Sequence, residues 1–589
     1  MSDTFDLSSA TDQSSGDTVV VRNFENLDWT LSGASLTVTG SSAANNIIGS
    51  QSSDTIDGGA GLDVIDGQSG SDRITYRSTA SAIGGGADVD TLVVLGAVTI
   101  NLNNGDQTSG DTVTVTGFEN VDALGSTAGV TATGRNDYLS TLIGGSGADT
   151  FTAGSNGARL IGHGGADTLV GGAGGDSFDI NSSDFAAGES INGGGGTNDT
   201  LYVGGTSDFT VGSLSNVEYL YADAVDASGT PIESGMTVTL TGAQAAGFSF
   251  IQANQYFGTT AEAFIINVAS GTTVDLSAIN WGYFDLTDSV AINGAAGNET
   301  ITFSYTIAAT IHGNGGADTL KTEAAYGFWN EGTSVFGDGG NDRIDYGFGG
   351  YATVINGGAA DTDTLVYSYS EAVRDQIDLS NPLDQSQGDA ALVSNFENLD
   401  WSFSSSGLDA IGSSGANSII GSQLNDTING GEGSDTIEGG SDADTLTGGL
   451  AGDVFVWKDR YTSFDTITDF LAADDDLRFA ASAFDFNGAT FNQRLATGST
   501  ATDITGVDLL IYTGANLDFE SDVQTYLGAA AGGSVGEGVF IVGKNSSNHT
   551  VLYHALDASF TVNSSVVQIA DLGTLTGATS IQLADFLFV

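Results

Sequence analysis

Four nine-residue units run without a break from Gly421 to Val456: GSQLNDTIN, GGEGSDTIE, GGSDADTLT and GGLAGDVFV. Gly opens each unit, and Asp holds the sixth position (Asp426, Asp435, Asp444, Asp453). A large apolar residue holds the eighth (Ile428, Ile437, Leu446, Phe455). A flexible linker has no reason to keep an apolar residue in phase. The Gly-rich half can adopt backbone angles closed to other residues and so turns tightly. The residues around the apolar position make a very short strand with one side chain pointing inward. Two units then close one coil. The expected fold is all-β, a parallel β-roll or β-helix solenoid in which residues eighteen apart stack at the strand spacing of about 4.8 Å.

That stacking sets Asp426 on Asp444 and Asp435 on Asp453. Carboxylates so close repel unless a cation lies between them. Hard oxygen donors, meaning carboxylates and turn carbonyls, suit calcium. The chain as a whole sharpens the point: 74 acidic residues stand against 13 basic ones, a formal net charge of −61. Self-repulsion on this scale opposes compaction, and bound divalent cations relieve it. The same charge excludes nucleic acid as a partner, since phosphate binding needs a basic surface, and argues against bare anionic lipid. Cysteine is absent, so stability outside a cell would come from metal and repetition instead of disulfides.

The pattern recurs with decay. A first block, from Gly49 to Thr75, carries Asp54, Asp63 and Asp72, with Gly58 and Gly61 shaping its middle turn as Gly430 and Gly433 shape the turn of Asp435. A degenerate coil follows at Gly84–Asp90. A second block, 144–179, carries Asp149, Asp167 and Asp176; Ala158 stands where its remaining Asp is expected, so the site opposite Asp176 should be weak or empty. Gly193–Asp199 is another degenerate turn. A third block holds Glu299 in the Asp position, then Asp318 and Asp342. A longer repeat overlies these blocks. Gly16-Asp17, Asn23–Trp29 and Ile47–Gln51 recur as Gly388-Asp389, Asn395–Trp401 and Ile419–Gln423, each 372 positions on. Fainter copies lie at Gly117–Asp122 and Leu214–Leu220. Val/Thr-rich stretches such as Thr18–Arg22 and Leu36–Thr39 read as strands; the Asn and Glu of the N(F/V)EN segments read as side-chain ladders between coils, with solvated side chains as the alternative. The expected modules are 1–95 with its roll at 49–75, 96–192 with a roll at 144–179, 193–366 with an aromatic insertion at 207–292 and a degenerate roll at 294–366, 367–457 with the roll at 421–456, and a C-terminal β-rich domain at 458–589. Within the insertion an ordinary core in a wider rung competes with a recognition surface. A second aromatic interruption, Ala324–Asn330, invites the same question.

These nonapeptides resemble those of the RTX family of secreted bacterial proteins. The D-T-I-T-D-F run at Asp465–Phe470 and the apolar end at Ile581–Val589 are similar to that family's C-terminal region and its uncleaved type I secretion signal. The resemblance implies multiple bound Ca2+ ions, passage through type I secretion machinery and an extracellular or cell-surface location. The N-terminus has neither the basic nor the apolar region of a Sec-type signal peptide, and no apolar run approaches the roughly 20 residues of a membrane helix.

An enzyme is not expected. The repeats start almost at Met1, leaving no room for a separate catalytic domain. The four His residues, His163, His312, His549 and His554, form no H-E-x-x-H motif, and His163 and His312 read as solvated turn residues. Gly532-Gly-Ser-Val-Gly536 matches G-x-S-x-G without the strand-turn-helix context that gives that motif meaning. The expected function is a calcium-dependent structural protein that self-associates at the cell surface, as a surface-layer or matrix subunit. A ligand-binding adhesin, with cell-surface polysaccharide as candidate partner, is the alternative, and a secreted hydrolase, for which paired carboxylates are available, the less favoured one.

Overall fold

The computed structural model describes residues 3–15, 19–182, 184–222, 235–253, 261–284, 287–304, 307–323, 332–345, 352–359, 361–368, 375–387, 391–458, 463–480, 484, 495–498, 509–512, 539–555, 566–575, 581 and 585–588. The chain forms two compact units, 1–268 with 278–292, and 269–277 with 293–589. Both are parallel β-solenoids, and the described residues hold one short α-helix, Gly242–Ala245.

In the first unit a 14-stranded sheet stacks strands from successive coils, among them Leu36–Thr39, Thr55–Asp57, Arg73–Thr75 and Thr91–Val93. The strands between them in sequence, such as Asn46–Ile48, Val64–Asp66 and Ala82–Gly84, build a 5-stranded sheet, and a 7-stranded sheet takes over from Thr99–Asn101. In the second unit an 11-stranded and a 10-stranded sheet alternate in the same way. The register is the one the period requires: Ile56 lies beside Ile74, Ile428 beside Leu446 and Ile437 beside Phe455. Those eighth-position side chains are fully buried, each stabilising the coil by roughly 1.5–3 kcal/mol. Their neighbours on either side point outward, as pleating demands.

The 372-residue duplication has a structural meaning. Each copy opens a stack. Asp3–Asp6 pairs in parallel with Leu36–Thr39 on one side and antiparallel with Ser14–Ser15 on the other. In the later copy, Asp375–Asp378 starts the 10-stranded sheet and Ile377 bridges Ser386 antiparallel. A buried Gln pins each hairpin. Gln385 Nε2 donates to the carbonyls of Leu379 and Phe396, and its Oε1 accepts from Phe396 N–H. Gln13 makes the same three bonds with Leu7 and Phe24, and Gln107 with Leu102 and Phe118. A hairpin laid on the first coil protects an otherwise open sheet edge. The paired residues Gly16-Asp17 and Gly388-Asp389 lie outside the described residues.

Two expectations change. The described part of Thr18–Arg22 is not a strand. It runs beside the hairpin, giving one backbone bond from Gln13 N–H to the Val21 carbonyl and one from Val21 N–H to Asp12, and leaves Val19 and Val20 exposed. Through 207–292 the described segments add further parallel strands, Tyr219–Tyr221, Phe250–Gln252 and Asn280–Gly282. Phe248, Phe264 and Trp281 are core there; Tyr256 and Phe257 lie outside the described residues, as do Ala324–Asn330 and Gly532–Gly536.

After the last nonapeptide the sheets continue. Asp476–Phe479 pairs with Phe586–Phe588, and Asp465–Ile467 with Val566–Asp571. Val539–Lys544, Thr550–Ala555 and Val566–Asp571 form an antiparallel meander. Phe479, Phe484, Phe540, Phe586 and His554 pack together there.

Candidate metal centre

Each nonapeptide turn places its sixth residue at the mouth of a strand, facing the turn of the preceding coil. One carboxylate oxygen is spent on the backbone. Asp72 Oδ1 accepts from Asp54 N–H at 2.7 Å, Asp444 Oδ1 from Asp426 N–H at 2.8 Å, and Asp453 Oδ1 from Asp435 N–H at 2.8 Å. Asp54, Asp149, Asp167 and Asp342 belong to the same kind of row. Asp63 and Asp435 take the N–H of Asn45 and Asn417, Asp318 that of Glu299, Asp426 that of Leu408, and Asp176 that of Ala158. The carboxylates therefore stack in continuous rows eighteen residues or more apart in sequence, cross-linked through main-chain N–H groups.

The other oxygen is the chemically unusual one. Among the described residues, Oδ2 of Asp63, Asp72, Asp90, Asp167, Asp199, Asp318, Asp342, Asp435, Asp444 and Asp453 is buried without a hydrogen-bond partner. A buried, ionised carboxylate lacking a partner costs several kcal/mol. The arginines seen in ion pairs serve other carboxylates: Arg73 with Asp122, Arg77 with Asp57, Arg135 with Glu119 and Asp137, Arg159 with Asp179, and Arg343 with Asp400. Burial accordingly pushes Asp72 up to about 8 and Asp167 and Asp342 to about 7, with the negative charge of neighbouring Asp residues adding to it. Burial likewise takes Asp90, Asp199, Asp318 and Asp453 to about 6. Asp444 is raised by burial first and then by Asp465.

Main-chain oxygens share these turns. A Cβ on Gly430 would strike Asp435 Oδ2 and, at 2.6 Å, the Gly448 carbonyl; one on Gly313 would meet Asp318 Oδ2 at 2.5 Å and the Gly337 carbonyl at 2.7 Å. Gly58 is crowded the same way by Asp63 Oδ2 at 3.0 Å. Gly61 and Gly433 are left-handed, with φ of 142° and 108°, and fold the turn back on the coil before. No three His, Cys, Asp or Glu side chains converge among the described residues. The donors are therefore one carboxylate oxygen per turn together with glycine carbonyls, an all-oxygen set. An orphaned anionic oxygen beside main-chain carbonyls fits calcium, which would supply the missing positive charge between coils.

The rows contain residues the nonapeptide pattern did not mark. Asp90 and Asp199 lie in the degenerate turns and extend the rows of Asp72 and Asp176. Asp363, Asp465 and Asp475 extend those of Asp342, Asp444 and Asp453. Glu119, Glu218 and Glu397, the Glu of the N(F/V)EN segments, accept the N–H of Asp90, Asp199 and Asp363. Asn26, Asn120 and Asn398 likewise accept from the next coil. The ladders expected there run from side chain to backbone. The signal was the spacing from each Glu back to the preceding turn, hidden because that spacing is not nine. Two expected solvated histidines have partners: His312 stacks on Phe336 and bonds Asp338 at 2.8 Å, and His163 lies 3.8 Å from Asp184.

Fold and turns together define a calcium-binding β-roll. A family model of the RTX calcium-binding nonapeptide repeat, in four copies, matches residues 39–74, 136–157, 143–178, 411–446 and 420–455. Over these residues the chain carries repeats similar to the calcium-binding nonapeptides of RTX proteins. No curated protein matches the chain.

Proposed function

We propose that this protein is exported by a type I route, folds when it meets extracellular calcium, and self-assembles at the cell surface as a structural, non-enzymatic subunit of a surface layer or matrix. The observation that carries the reading is the rows of buried carboxylates with orphaned oxygens, in a scaffold whose strands run from Asp3–Asp6 to Phe586–Phe588. In a calcium-poor cytosol the unpaired charges keep the chain from compacting, which suits threading through a narrow channel. Outside, calcium that binds only the folded roll adds its binding free energy to folding, at the roughly 0.1–1 mM affinity of extracellular calcium modules. The RTX repeats and the absence of any helix long and apolar enough to span a membrane among the described residues accord with that location.

Negative-stain electron microscopy of purified protein with about 5–10 mM calcium, roughly five to ten times the top of that affinity range, tests the assembly. Ordered sheets or filaments that dissolve in EGTA are expected. Dispersed monomers at all calcium concentrations would refute self-assembly, and monomers that bind isolated cell-surface polysaccharide would establish the adhesin reading instead.

A further inference from the structure

The turns that present position six are of two kinds, separated by the backbone of their second residue. In one kind that residue has ordinary backbone angles and its N–H closes onto the turn's own sixth side chain. Ser50 N–H donates to Asp54 Oδ2 at 2.6 Å, Gly145 to Asp149 Oδ2 at 2.9 Å, Gly172 to Asp176 Oδ2 at 2.7 Å and Ser422 to Asp426 Oδ2 at 2.5 Å. Ser41 and Ser413 do the same to Asn45 and Asn417, Ala295 to Glu299 and Leu471 to Asp475. In the other kind the second residue is left-handed: Gly59, Gln68, Gly86, His163, Gly194, Asn314, Asp338, Gly431, Gly440 and Gly449 all have φ between 59° and 115°. Their turns are those of Asp63, Asp72, Asp90, Asp167, Asp199, Asp318, Asp342, Asp435, Asp444 and Asp453, the ten whose Oδ2 is orphaned. The two sets coincide without exception among turns whose residues are all described.

Two further regularities separate the kinds. Closed turns tolerate Asn45, Asn417 and Glu299 as well as Asp at position six, whereas the ten open turns hold only Asp. A neutral amide suffices where the backbone already satisfies the side chain; a charge is kept where nothing in the protein does. Every closed turn but that of Asp475, which follows Asp453 in its row, also begins a row. Asn45 precedes Asp63, Asp54 precedes Asp72 and Asp90, Asp149 precedes Asp167, Asp176 precedes Asp199, Glu299 precedes Asp318 and Asp342, Asn417 precedes Asp435 and Asp453, and Asp426 precedes Asp444.

We infer that calcium is held through the carboxylates of the open turns only, and that the closed turns are metal-independent, those that open a row serving as the rungs on which its calcium sites are built. The second residue of the turn thus decides which Asp is a ligand. Asp54, Asp149, Asp176 and Asp426 are backbone caps, although the units of Asp149 and Asp176 carry the full nonapeptide pattern. The inference rests on the reading of the repeats as calcium sites.

Calcium stoichiometry of the full-length chain, measured by equilibrium dialysis at pH 7.5 with far-UV circular dichroism on the same samples, tests it. The triple closed-turn variant Asp54→Asn/Asp149→Asn/Asp426→Asn should bind as many ions as wild type and keep its β spectrum. Asp435→Asn and, in the first unit, Asp90→Asn should each lose at least one ion; two open turns are used so that failure of one variant to fold leaves the other. Loss of ions in the closed-turn variant, or full stoichiometry in a folded open-turn variant, overturns the inference. A wild-type chain that binds no calcium would instead refute the reading beneath it.

Discussion

Removing calcium should leave a fold that requires acid. In the fold, burial raises Asp90, Asp199, Asp318 and Asp453 to about 6, Asp167 and Asp342 to about 7, and Asp72 to about 8, from the model-compound value of 3.8. A carboxyl whose pKa is higher folded than unfolded contributes stability that is complete below the unfolded value and is lost as pH rises through the folded one. Each pH unit in that window removes about 1.4 kcal/mol per group. From pH 4 to 6, one such group therefore costs up to about 2.7 kcal/mol. Domains are held by only about 5–15 kcal/mol, so ionising a handful per unit suffices to unfold it. The assay is far-UV circular dichroism in EGTA from pH 5, above the sequence pI of about 4.1, to pH 8, with a parallel series in calcium. The β signal in EGTA should be strongest at pH 5 and vanish between about pH 6 and 8, while calcium preserves it throughout. A metal-free chain equally folded at pH 5 and 8, or one that unfolds on acidification, would refute the argument.

Three substitutions probe separate parts of the scaffold. Gly430→Ala would drive a Cβ into Asp435 Oδ2 and the Gly448 carbonyl; a loss of roughly 1–3 kcal/mol or more should appear as a raised calcium midpoint for folding. Gln385→Ala removes three buried hydrogen bonds, and should speed hydrogen exchange of 375–396 with a cost of about 1–3 kcal/mol, leaving the Gln13 hairpin unchanged. Ile437→Ala empties a fully buried position between Ile419 and Phe455 and should destabilise the second unit by about 2–5 kcal/mol, read as a lower Tm in saturating calcium.

The sequence by itself determined the coil. A strict nine-residue phase of Gly, Asp and an apolar residue can be satisfied only by short strands and tight turns stacked at eighteen, so the parallel sheets, the buried eighth position and the oxygen-rich rows were legible in it. The rows' full extent was not. Asp90 keeps the spacing of eighteen but sits in a degenerate turn; Asp199, Asp363, Asp465 and Asp475 join through connections of other lengths, and Glu119, Glu218 and Glu397 through segments with no nonapeptide at all. A row is defined by which backbone N–H a carboxylate faces across coils, and insertions change sequence spacing without changing that face. The duplicated segments, readable as a repeat, became hairpin caps only once Gln13 and Gln385 were seen bridging them. The difference between Asp149 and Asp435, whose units both carry the full Gly-Gly-x-Gly-x-Asp pattern, is decided by the sign of one backbone angle, at Gly145 and Gly431. That angle is set by how the turn packs on the coil before it. Gly145 and Gly172 close while Gly431 and Gly440 stay open, so residue type at that position does not settle which oxygen is left for a cation.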